Sequence, residues 1–413
     1  MPSESGDRAA ALVVINDLLV YGSVIVRPTG IQRVASGITQ ALCSDAGAET
    51  VVLRDGRAFR AELPLAGAHG WLARVNEPIL ALLSRAPRTL QEVVRTVARS
   101  LVARLSRGRG GTSRSIGAGD WLIMLGAPWI SPGVAREMVR IKEARGARIA
   151  LLVHDLLPTT SPQWFGDAQG RAAKADMDLL IEHATALFAV SNEVVDEIQR
   201  RYGRRAVALP PADPQLAEGL EARQDEAHLD EAGSGPIILT VGTLHPRKNL
   251  EALVRIWDEW EGSTEVGGAP PAPLVIVGRR HPQDAGFFEA LRTHPRAARR
   301  ISVRHEVSDG ELASLYRRAR FVVLPSLAEG WGMPIREALM AGRPSIATDA
   351  VPAALNSPYS EVVAAGDTQA LGTAIRSWWG GTEPERLAAK IEAEFTPRSW
   401  SVVSGELAAH LGL

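Results

Sequence analysis

Short apolar segments alternate with longer amphipathic segments along this chain, and this alternation constrains the fold more than any other sequence feature. The apolar segments are rich in Val, Ile and Leu. A strand that is apolar on both faces is typical of a parallel sheet covered by helices on both sides, so the sequence predicts an α/β fold. The predicted strands are residues 12–15, 50–53, 121–125, 148–153, 187–190, 207–209, 237–241, 274–277, 301–303, 321–324 and 345–348.

The predicted strands form two series, separated by a polar segment over residues 210–236. This segment is rich in Pro, Gly and acidic residues, as is typical of a linker. A length of 413 residues also favours two domains over one core. We therefore predict an N-terminal domain over residues 1–214, a C-terminal domain over 215–394 and a last helix within 395–413.

Composition and charge exclude several classes of protein. The net charge of −1 disfavours a globally basic nucleic-acid binder. The single cysteine, Cys43, cannot form an internal disulfide and suits a reducing compartment. The N-terminus lacks the basic region of a signal peptide, and Asn16 and Asp17 interrupt an apolar run that is too short to span a bilayer. The sequence thus predicts a cytoplasmic protein.

Residues 85–114 are basic and do not follow the strand–helix alternation. They contain eight Arg and one Glu, and Arg95, Arg99 and Arg104 fall between apolar positions at helical spacing. A basic amphipathic helix favours contact with an anionic membrane surface. The alternative is a solvated helix packed on its own domain, and both interpretations stay open.

A glycine-rich loop with two glutamates follows the strand predicted over 321–324. Glu329 lies in this loop, and Glu337 lies in the helix that follows. The N–H groups around Gly332, Met333 and Ile335 mark a helix N-terminus, where an anion binds well. The pattern suits a ligand with a phosphate at the helix and hydroxyl groups bound by each glutamate. The alternative is a loop glutamate and an ordinary glutamate on a helix face.

Two adjacent cations, Arg247 and Lys248, occupy another strand-to-helix loop of the same half, before Asn249 as a helix N-cap. An Arg and a Lys side by side suit a diphosphate. They can neutralise the charge on a departing nucleoside diphosphate without a metal. The alternative is a solvated surface pair, which the neighbouring glutamate loop disfavours.

The N-terminal half contributes two weaker signals. Thr29 and Gly30 form a turn before a helix, which presents N–H groups to a phosphate. His154 and Asp155 end a predicted strand and are candidates to hold hydroxyl groups or to act as a base. A histidine satisfied within a turn is the alternative. The histidines show no metal-ligand spacing, so we predict no metal site.

Four motifs, taken together, resemble those of the retaining family 4 of the GT-B glycosyltransferases. They are "VGTLHPRKNL" (241–250), "EGWGMPIREAL" (329–339), "RPTGIQRV" (27–34) and "VHDLLP" (153–158). The resemblance covers nearly the whole chain, and the last two motifs look closest to members that build bacterial surface polysaccharides. It implies two Rossmann-like, doubly wound parallel-sheet domains that face a cleft.

The implied activity is the transfer, with retention and without a metal, of a hexose or deoxyhexose from a nucleoside-diphosphate sugar. A donor like GDP-mannose is favoured, and the implied acceptor is a lipid-linked glycan of exopolysaccharide, capsule or O-antigen synthesis. The implied partners are this donor, this acceptor and the anionic inner-membrane surface, where the cytoplasmic protein would be peripheral. No nucleic acid is implied.

The resemblance also implies a role for each matching residue. Arg247 and Lys248 would bind the diphosphate and stabilise the leaving group, Glu329 and His154 would contact the donor sugar, and Asp155 would help place the acceptor. Glu337 would hold the ribose, residues 278–279 and 306–307 would lie near the base, and the last helix would cross back to the N-terminal domain. The implied donor-binding residues are Thr29, Gly30, Gly242, Gly278, Arg279, Val307, Gly330, Trp331, Gly332, Met333, Pro334, Ile335 and Glu337.

Two residues depart from the pattern of the family. His245 stands where many members have an acid, and Arg336 stands where an apolar residue is usual. These departures leave the identity of the donor sugar open. Two alternative functions also remain open: a non-catalytic GT-B subunit that binds a nucleotide sugar, and a GT-B epimerase.

Overall fold

A computed structural model of the protein describes most of the chain. The described ranges are 9–24, 29–63, 113–165, 167–216, 235–263, 270–305, 307–355 and 357–413, with the backbone alone at 21–24 and 167–169. Arg95, Arg99 and Arg104 lie outside these ranges, so contact between their segment and a membrane stays a prediction. No helix in the described ranges is long and apolar enough to cross a membrane.

The chain divides into two compact units. Unit 1 is Met1–Ala212 together with Arg398–Leu413, and unit 2 is Asp213–Pro397. The first boundary falls two residues before the predicted end of the N-terminal domain at residue 214. The last residues of the chain group with unit 1 from Arg398, whereas the sequence predicts a last segment from residue 395.

Unit 1 is built on an eight-stranded sheet in the order β4-β3-β2-β1-β5-β6-β7-β8. Its strands are β1 (Ala11–Val14), β2 (Glu49–Arg54), β3 (Arg57–Arg60), β4 (Ser113–Arg114), β5 (Trp121–Met124), β6 (Arg148–Val153), β7 (Ala186–Ala189) and β8 (Val207–Ala208). Its helices are α1 (Asn16–Val24), α2 (Gly30–Asp45), α3 (Val134–Arg145), α4 (Leu157–Thr160), α5 (Asp167–His183), α6 (Asn192–Tyr202) and, at the end of the chain, α14 (Trp400–Leu411). β3 runs antiparallel to β2 and β4, and the other neighbours are parallel.

The last helix, α14, packs against α2 in unit 1. A Cβ atom at Gly37 of α2 would lie 2.4 Å from Trp400 Cε2, so the indole occupies the space that a side chain would take. At the other end of α14, the indole N–H of Trp121 donates to the Leu411 carbonyl at 3.0 Å. The carboxyl-terminal residues therefore form part of the core of unit 1.

Unit 2 is built on a six-stranded, fully parallel sheet in the order β11-β10-β9-β12-β13-β14. Its strands are β9 (Ile237–Val241), β10 (Leu274–Val277), β11 (Ile301–Arg304), β12 (Ala319–Leu324), β13 (Ser345–Thr348) and β14 (Ser360–Val363). Its helices are α7 (Leu250–Gly262), α8 (Ala285–Thr293), α9 (Pro295–Ala298), α10 (Asp309–Arg318), α11 (Met333–Met340), α12 (Thr368–Gly380) and α13 (Glu383–Glu394).

Both faces of the unit 2 sheet are buried. Successive residues of a strand point to opposite sides of the sheet, and they join different apolar clusters. Ile238 and Val323 join one apolar cluster. Their neighbours Leu239 and Val322 join a second cluster on the other face. The predicted α/β class with two mainly parallel, helix-covered sheets is therefore confirmed.

Arg336 of α11 connects the beginning and the end of unit 2. Its Nε and Nη2 atoms donate to Asp213 Oδ1 and Oδ2 at 2.5 and 2.8 Å. The Asp213 side chain is 0% exposed, and the guanidinium carbon lies 5.1 Å from the centre of the Phe395 ring. Arg336 therefore has a structural partner at each of the two ends of the unit.

We expect the substitution Arg336→Met to lower the free energy of unfolding by about 3 kcal/mol, because it removes the guanidinium that binds the buried Asp213 carboxylate through two hydrogen bonds. Chemical denaturation of the full chain measures this loss. Arg386→Met is the matched control, since Arg386 forms its ion pair with Glu383 at the surface and exposed pairs contribute about 1 kcal/mol or less. Equal losses in the two variants would contradict the prediction.

Candidate active site

The candidate site of unit 2 lies where the loops after β9 and β12 meet. These strands are neighbours and parallel, so their carboxyl ends share one edge of the sheet. The Thr240 hydroxyl donates to the Val323 carbonyl at 3.0 Å, and the Leu327 amide donates to the Arg247 carbonyl at 2.7 Å. The fold thereby brings Arg247 and Lys248 next to Glu329, from which they are about eighty residues distant in sequence.

The carboxylate of Glu329 lies between the two cations. Arg247 Nη1 donates to Glu329 Oε2 at 2.6 Å and to the Ala328 carbonyl at 2.9 Å. Lys248 Nζ donates to Glu329 Oε1, which also accepts from the Ser326 hydroxyl at 2.8 Å. The Glu329 side chain is 7% exposed. The alternative of a solvated Arg–Lys pair is therefore wrong, since both cations bind a buried anion.

The charges in this cluster determine one another's ionisation. Burial alone would raise the pKa of Glu329, but Arg247 and Lys248 outweigh it and lower the pKa to about 2. Burial lowers the pKa of Lys248, and Glu329 opposes this shift. Glu329 is thus a stable carboxylate, not an acid that exchanges protons near neutral pH.

Two glycines make room for Lys248. The φ angle of Gly242 is +154°, and a Cβ atom there would lie 3.1 Å from Lys248 Cε. A Cβ atom at Gly278, after the neighbouring strand β10, would lie 1.8 Å from the Gly242 carbonyl oxygen. Gly242 is favoured by its positive φ and its contact with Lys248, and Gly278 requires glycine because a side chain there would separate the two loops.

The loop that follows Glu329 leads directly into α11. Gly332 has a φ of +106°, and a Cβ atom there would lie 2.5 Å from Val351 Cγ1. The Ile335 amide donates to the Gly332 carbonyl at 3.0 Å, and its side chain is fully buried. The expectation that the Ile335 N–H group points to a phosphate is therefore wrong, and since Pro334 has no N–H, Gly332 and Met333 supply the amides of this turn.

Glu337 is held inside unit 2 by a residue that the sequence did not single out. The Tyr316 hydroxyl of α10 donates to Glu337 Oε2 at 2.5 Å, and Glu337 is 5% exposed. This bond fixes the carboxylate on the first turns of α11. Glu337 is therefore not an ordinary glutamate of an exposed helix face.

The remaining predicted residues of unit 2 lie near the ends of β10, β11 and β12. The Arg279 carbonyl accepts from the Leu244 amide at 2.9 Å, and His305 Nδ1 lies 2.9 Å from the Gly278 carbonyl oxygen. Val307 is buried in an apolar cluster, to which Trp331 adds its ring. The loops thus form one continuous edge, and binding of a base there stays a prediction.

His154 of unit 1 is buried and hydrogen-bonded to the backbone. Its Nε2 lies 2.7 Å from the Leu125 carbonyl oxygen, which can only accept, so Nε2 carries the proton. Burial lowers the pKa of His154, which leaves Nδ1 of the neutral ring as an acceptor. Asp155 Oδ1 accepts from the Leu157 amide at 3.1 Å and so orders the turn that follows β6.

Thr29 and Gly30 also belong to unit 1. Thr29 occupies the N-cap position of α2, the helix predicted after this turn, and α2 already begins at Gly30. The chain between β1 and this turn contains α1, a helix that the sequence analysis did not include. Contact of these residues, or of His154 and Asp155, with a ligand bound to unit 2 stays a prediction.

Asp17 is a buried acid of unit 1 that the sequence analysis did not treat as functional. It follows β1, it is 1% exposed, and its Oδ2 accepts from the Ala127 amide at 2.8 Å. Its Oδ1 is buried and has no hydrogen-bond partner among the described residues, and burial raises the pKa of the carboxyl group to about 6. The signal in the sequence that could have indicated a buried acid was the position of Asp17 inside an apolar run, which served only as evidence against a membrane span.

Two further expectations have simple outcomes. Asn249 occupies the N-cap position of α7 but makes no side-chain capping bond, and its φ is +52°. Among the described residues, no group of three or more His, Cys, Asp or Glu side chains has the arrangement of a metal site.

Comparisons with known proteins place this geometry in context. Residues 235–380 match the family described as glycosyl transferases group 1. The serotype-specific mannosyltransferase WbdA of Escherichia coli is 28% identical over 224 residues, which are 50% of this chain and 26% of that protein. The O-antigen chain mannosyltransferase B of Escherichia coli is 26% identical over 215 residues, which are 49% of this chain and 53% of that protein.

The chain matches about a quarter of the length of the first relative and about half of the second. Among solved structures, HepE of Anabaena in complex with UDP and glucose has a TM-score of 0.61 at 15% identity. That similarity covers 98% of this chain and 100% of the HepE chain. At this identity, the similarity shows the shared fold of the whole chain.

We expect the stability that Glu329 contributes to disappear at acidic pH. Its folded-state pKa is lowered from 4.5 to about 2, so the contribution is complete above pH 4.5 and is lost as the pH falls towards 2. The difference in free energy of unfolding between the wild type and Glu329→Gln should therefore shrink as the pH falls from about 4.5 to about 2. Denaturant titrations at each pH measure it, with the exposed Glu392→Gln as control. A difference that does not change with pH would refute the assignment.

Proposed function

We propose that this chain, which has the GT-B fold, is a group 1 glycosyltransferase that transfers mannose, or a closely related hexose or deoxyhexose, from a nucleoside-diphosphate sugar to a glycan. The observation that supports this most strongly is the buried cluster of Arg247, Lys248 and Glu329. Both cations and the first-turn amides of α11 lie at the carboxyl edge of a parallel sheet, where phosphates bind well.

In the proposed reaction, the bond between the anomeric carbon and the diphosphate oxygen breaks as a bond to an acceptor hydroxyl forms on the same face. The acceptor proton passes to the departing diphosphate. Arg247 and Lys248 neutralise the charge that grows on the leaving group. This step retains the configuration at the anomeric carbon and assigns to two side chains the charge neutralisation that a metal provides in other enzymes.

The proposed roles of the two glutamates differ. Glu329 is ionised and bound to both cations, so a diphosphate that takes over those cations frees its oxygens for the hydroxyl groups of the donor sugar. Glu337, held by Tyr316, accepts from the ribose. Neither acid exchanges a proton in this scheme, which agrees with the low pKa of Glu329.

Mannose is the proposed donor sugar because the relatives described above are mannosyltransferases. A GDP-linked donor is favoured, and UDP is the alternative because HepE was solved with UDP and glucose. The name of the O-antigen chain mannosyltransferase B supports a polysaccharide as acceptor, and a lipid-linked glycan is the proposed acceptor. His154 Nδ1 and Asp155 are the proposed contacts of unit 1 with the sugars.

The alternatives are a non-catalytic subunit that binds a nucleotide sugar and an epimerase. Product analysis with purified protein separates all three functions. Transfer releases a nucleoside diphosphate and a lengthened glycan, and epimerisation changes the sugar alone. A non-catalytic subunit binds the donor and releases nothing.

We expect Lys248→Ala to lower kcat by about 10²–10³-fold, the usual loss when one preorganised charge donor is removed from a leaving group. Transfer from GDP-mannose and from UDP-sugars, followed by nucleotide release, measures this loss. Lys390→Ala is the matched control, since Lys390 pairs with Glu394 on α13, away from the site. Turnover of Lys248→Ala close to that of the control would show that Lys248 does not stabilise the leaving group.

A further inference from the structure

Two turns of the same sequence type follow the neighbouring strands β9 and β10. In the first, His245 and Pro246 precede Arg247, and in the second, residues 281–282 are again His-Pro. His245 Nδ1 accepts from the Arg247 amide at 3.2 Å, and His281 Nδ1 accepts from the Gln283 amide at 3.2 Å. Each imidazole therefore closes its own turn with the nitrogen that lacks a proton.

The two imidazole rings pack directly against each other. Their centres lie 4.4 Å apart, with an angle of 61° between the ring planes. His245 is buried, and the Leu244 amide before it donates to the Arg279 carbonyl of the second loop at 2.9 Å. The two turns thus form one rigid body at the edge of the sheet.

This pair is connected to the cationic cluster through the backbone of Arg247. The amide of Arg247 is bound by His245, its carbonyl accepts from Leu327, and its guanidinium binds Glu329. The Lys248 amide donates to the His245 carbonyl at 2.8 Å. The conformation of one histidine turn therefore determines where both cations point.

We propose that His245 and His281 are positioning residues, which as a pair of neutral imidazoles hold Arg247 and Lys248 in place for the donor diphosphate. The proposal rests on the proposed function and extends it to two residues that do not themselves contact the ligand. His245 is also the residue that replaces the acid found in many members of the family. The structure assigns it a partner, His281, from the next loop.

Burial favours the neutral form of the His281 ring. Protonation of Nδ1 would break the bond to the backbone amide and place a cation beside Arg247. Burial has the largest effect on the pKa of His281 and lowers it; Asp284 opposes this shift, and Arg247 adds a smaller lowering. Asp284 is bound to Arg280. Asp284, His245 and Glu251 of α7 line one cavity of about 170 Å³. Below the pKa of His281, we therefore expect the cationic turn to lose its order.

The test compares two substitutions at each histidine in the full chain. His245→Asn and His281→Asn keep a side-chain oxygen that can accept from the turn amide, whereas His245→Leu and His281→Leu remove the acceptor. We expect the Leu variants to lower kcat/KM by roughly 10²-fold, the effect of a displacement of about 1 Å in a catalytic group. The Asn variants should recover most of this loss, and His294→Asn, on the surface of unit 2, should behave as the wild type.

The pH profile distinguishes positioning from a simple loss of stability. The wild type should lose kcat/KM at acidic pH as His281 is protonated, and His281→Asn should lack that decline. If a Leu variant does not fold, the Asn variants and the pH profile of the wild type still show whether the histidines act by positioning. A profile of His281→Asn identical to that of the wild type, or Leu variants as active as the control, would overturn the proposal.

The same proteins separate this proposal from the proposed function. If the wild type transfers no sugar, the proposed function fails, and the affinity for GDP and UDP then tests the histidine pair alone. Weaker binding in the Leu variants, recovered in the Asn variants, would support the proposal in that case. Equal affinities in all variants would refute it.

Discussion

The structure of the site depends on the ion pairs of one buried carboxylate with two cations, the buried Lys248 and the half-buried Arg247. Burying a charge without a partner costs several kcal/mol, so Arg247 and Lys248 require an anion at the sheet edge. Glu329 is that anion. The two cations in turn lower its pKa, so that its carboxylate stays ionised at pH values where an ordinary glutamate is protonated. The glycines at 242 and 278 give these charges the space to meet.

The same interaction makes the site suitable for a diphosphate. A site with two unbalanced cations would be costly to fold, whereas a site with an internal carboxylate is balanced before any ligand arrives. On the proposed function, the donor replaces one anion by another, and Glu329 then binds the sugar. Tyr316 and the histidine turns hold the parts that must not move during this exchange.

The sequence predicts most of the fold because buried parallel strands are continuous apolar runs. It misses β3, β4 and β14, since these are short, partly exposed strands with polar residues, at or next to the edge of a sheet. It also predicts which loops carry the site, because the carboxyl ends of parallel strands share one edge. The class of the fold and the cationic loop could therefore be predicted from the sequence.

The hydrogen-bond and packing partners of the predicted residues were harder to predict from the sequence. His245 and Arg336 were recognised only as departures from a family pattern, because His281, Asp213 and Phe395 are distant in sequence and no periodicity connects them. The Ile335 amide was wrongly predicted to face a phosphate, since the sequence does not show that Gly332 accepts it. The sequence showed that Asp17 is an acid within an apolar run, but its burial was not predicted.

The most direct test of the central claim is a calorimetric titration of the wild type with a nucleoside diphosphate and with the corresponding nucleoside. The account predicts that the diphosphate binds far more tightly, and that Arg247→Ala combined with Lys248→Ala removes this difference while the nucleoside still binds. Equal affinity of the wild type for the nucleoside and its diphosphate would show that the cluster of Arg247, Lys248 and Glu329 is not a diphosphate site.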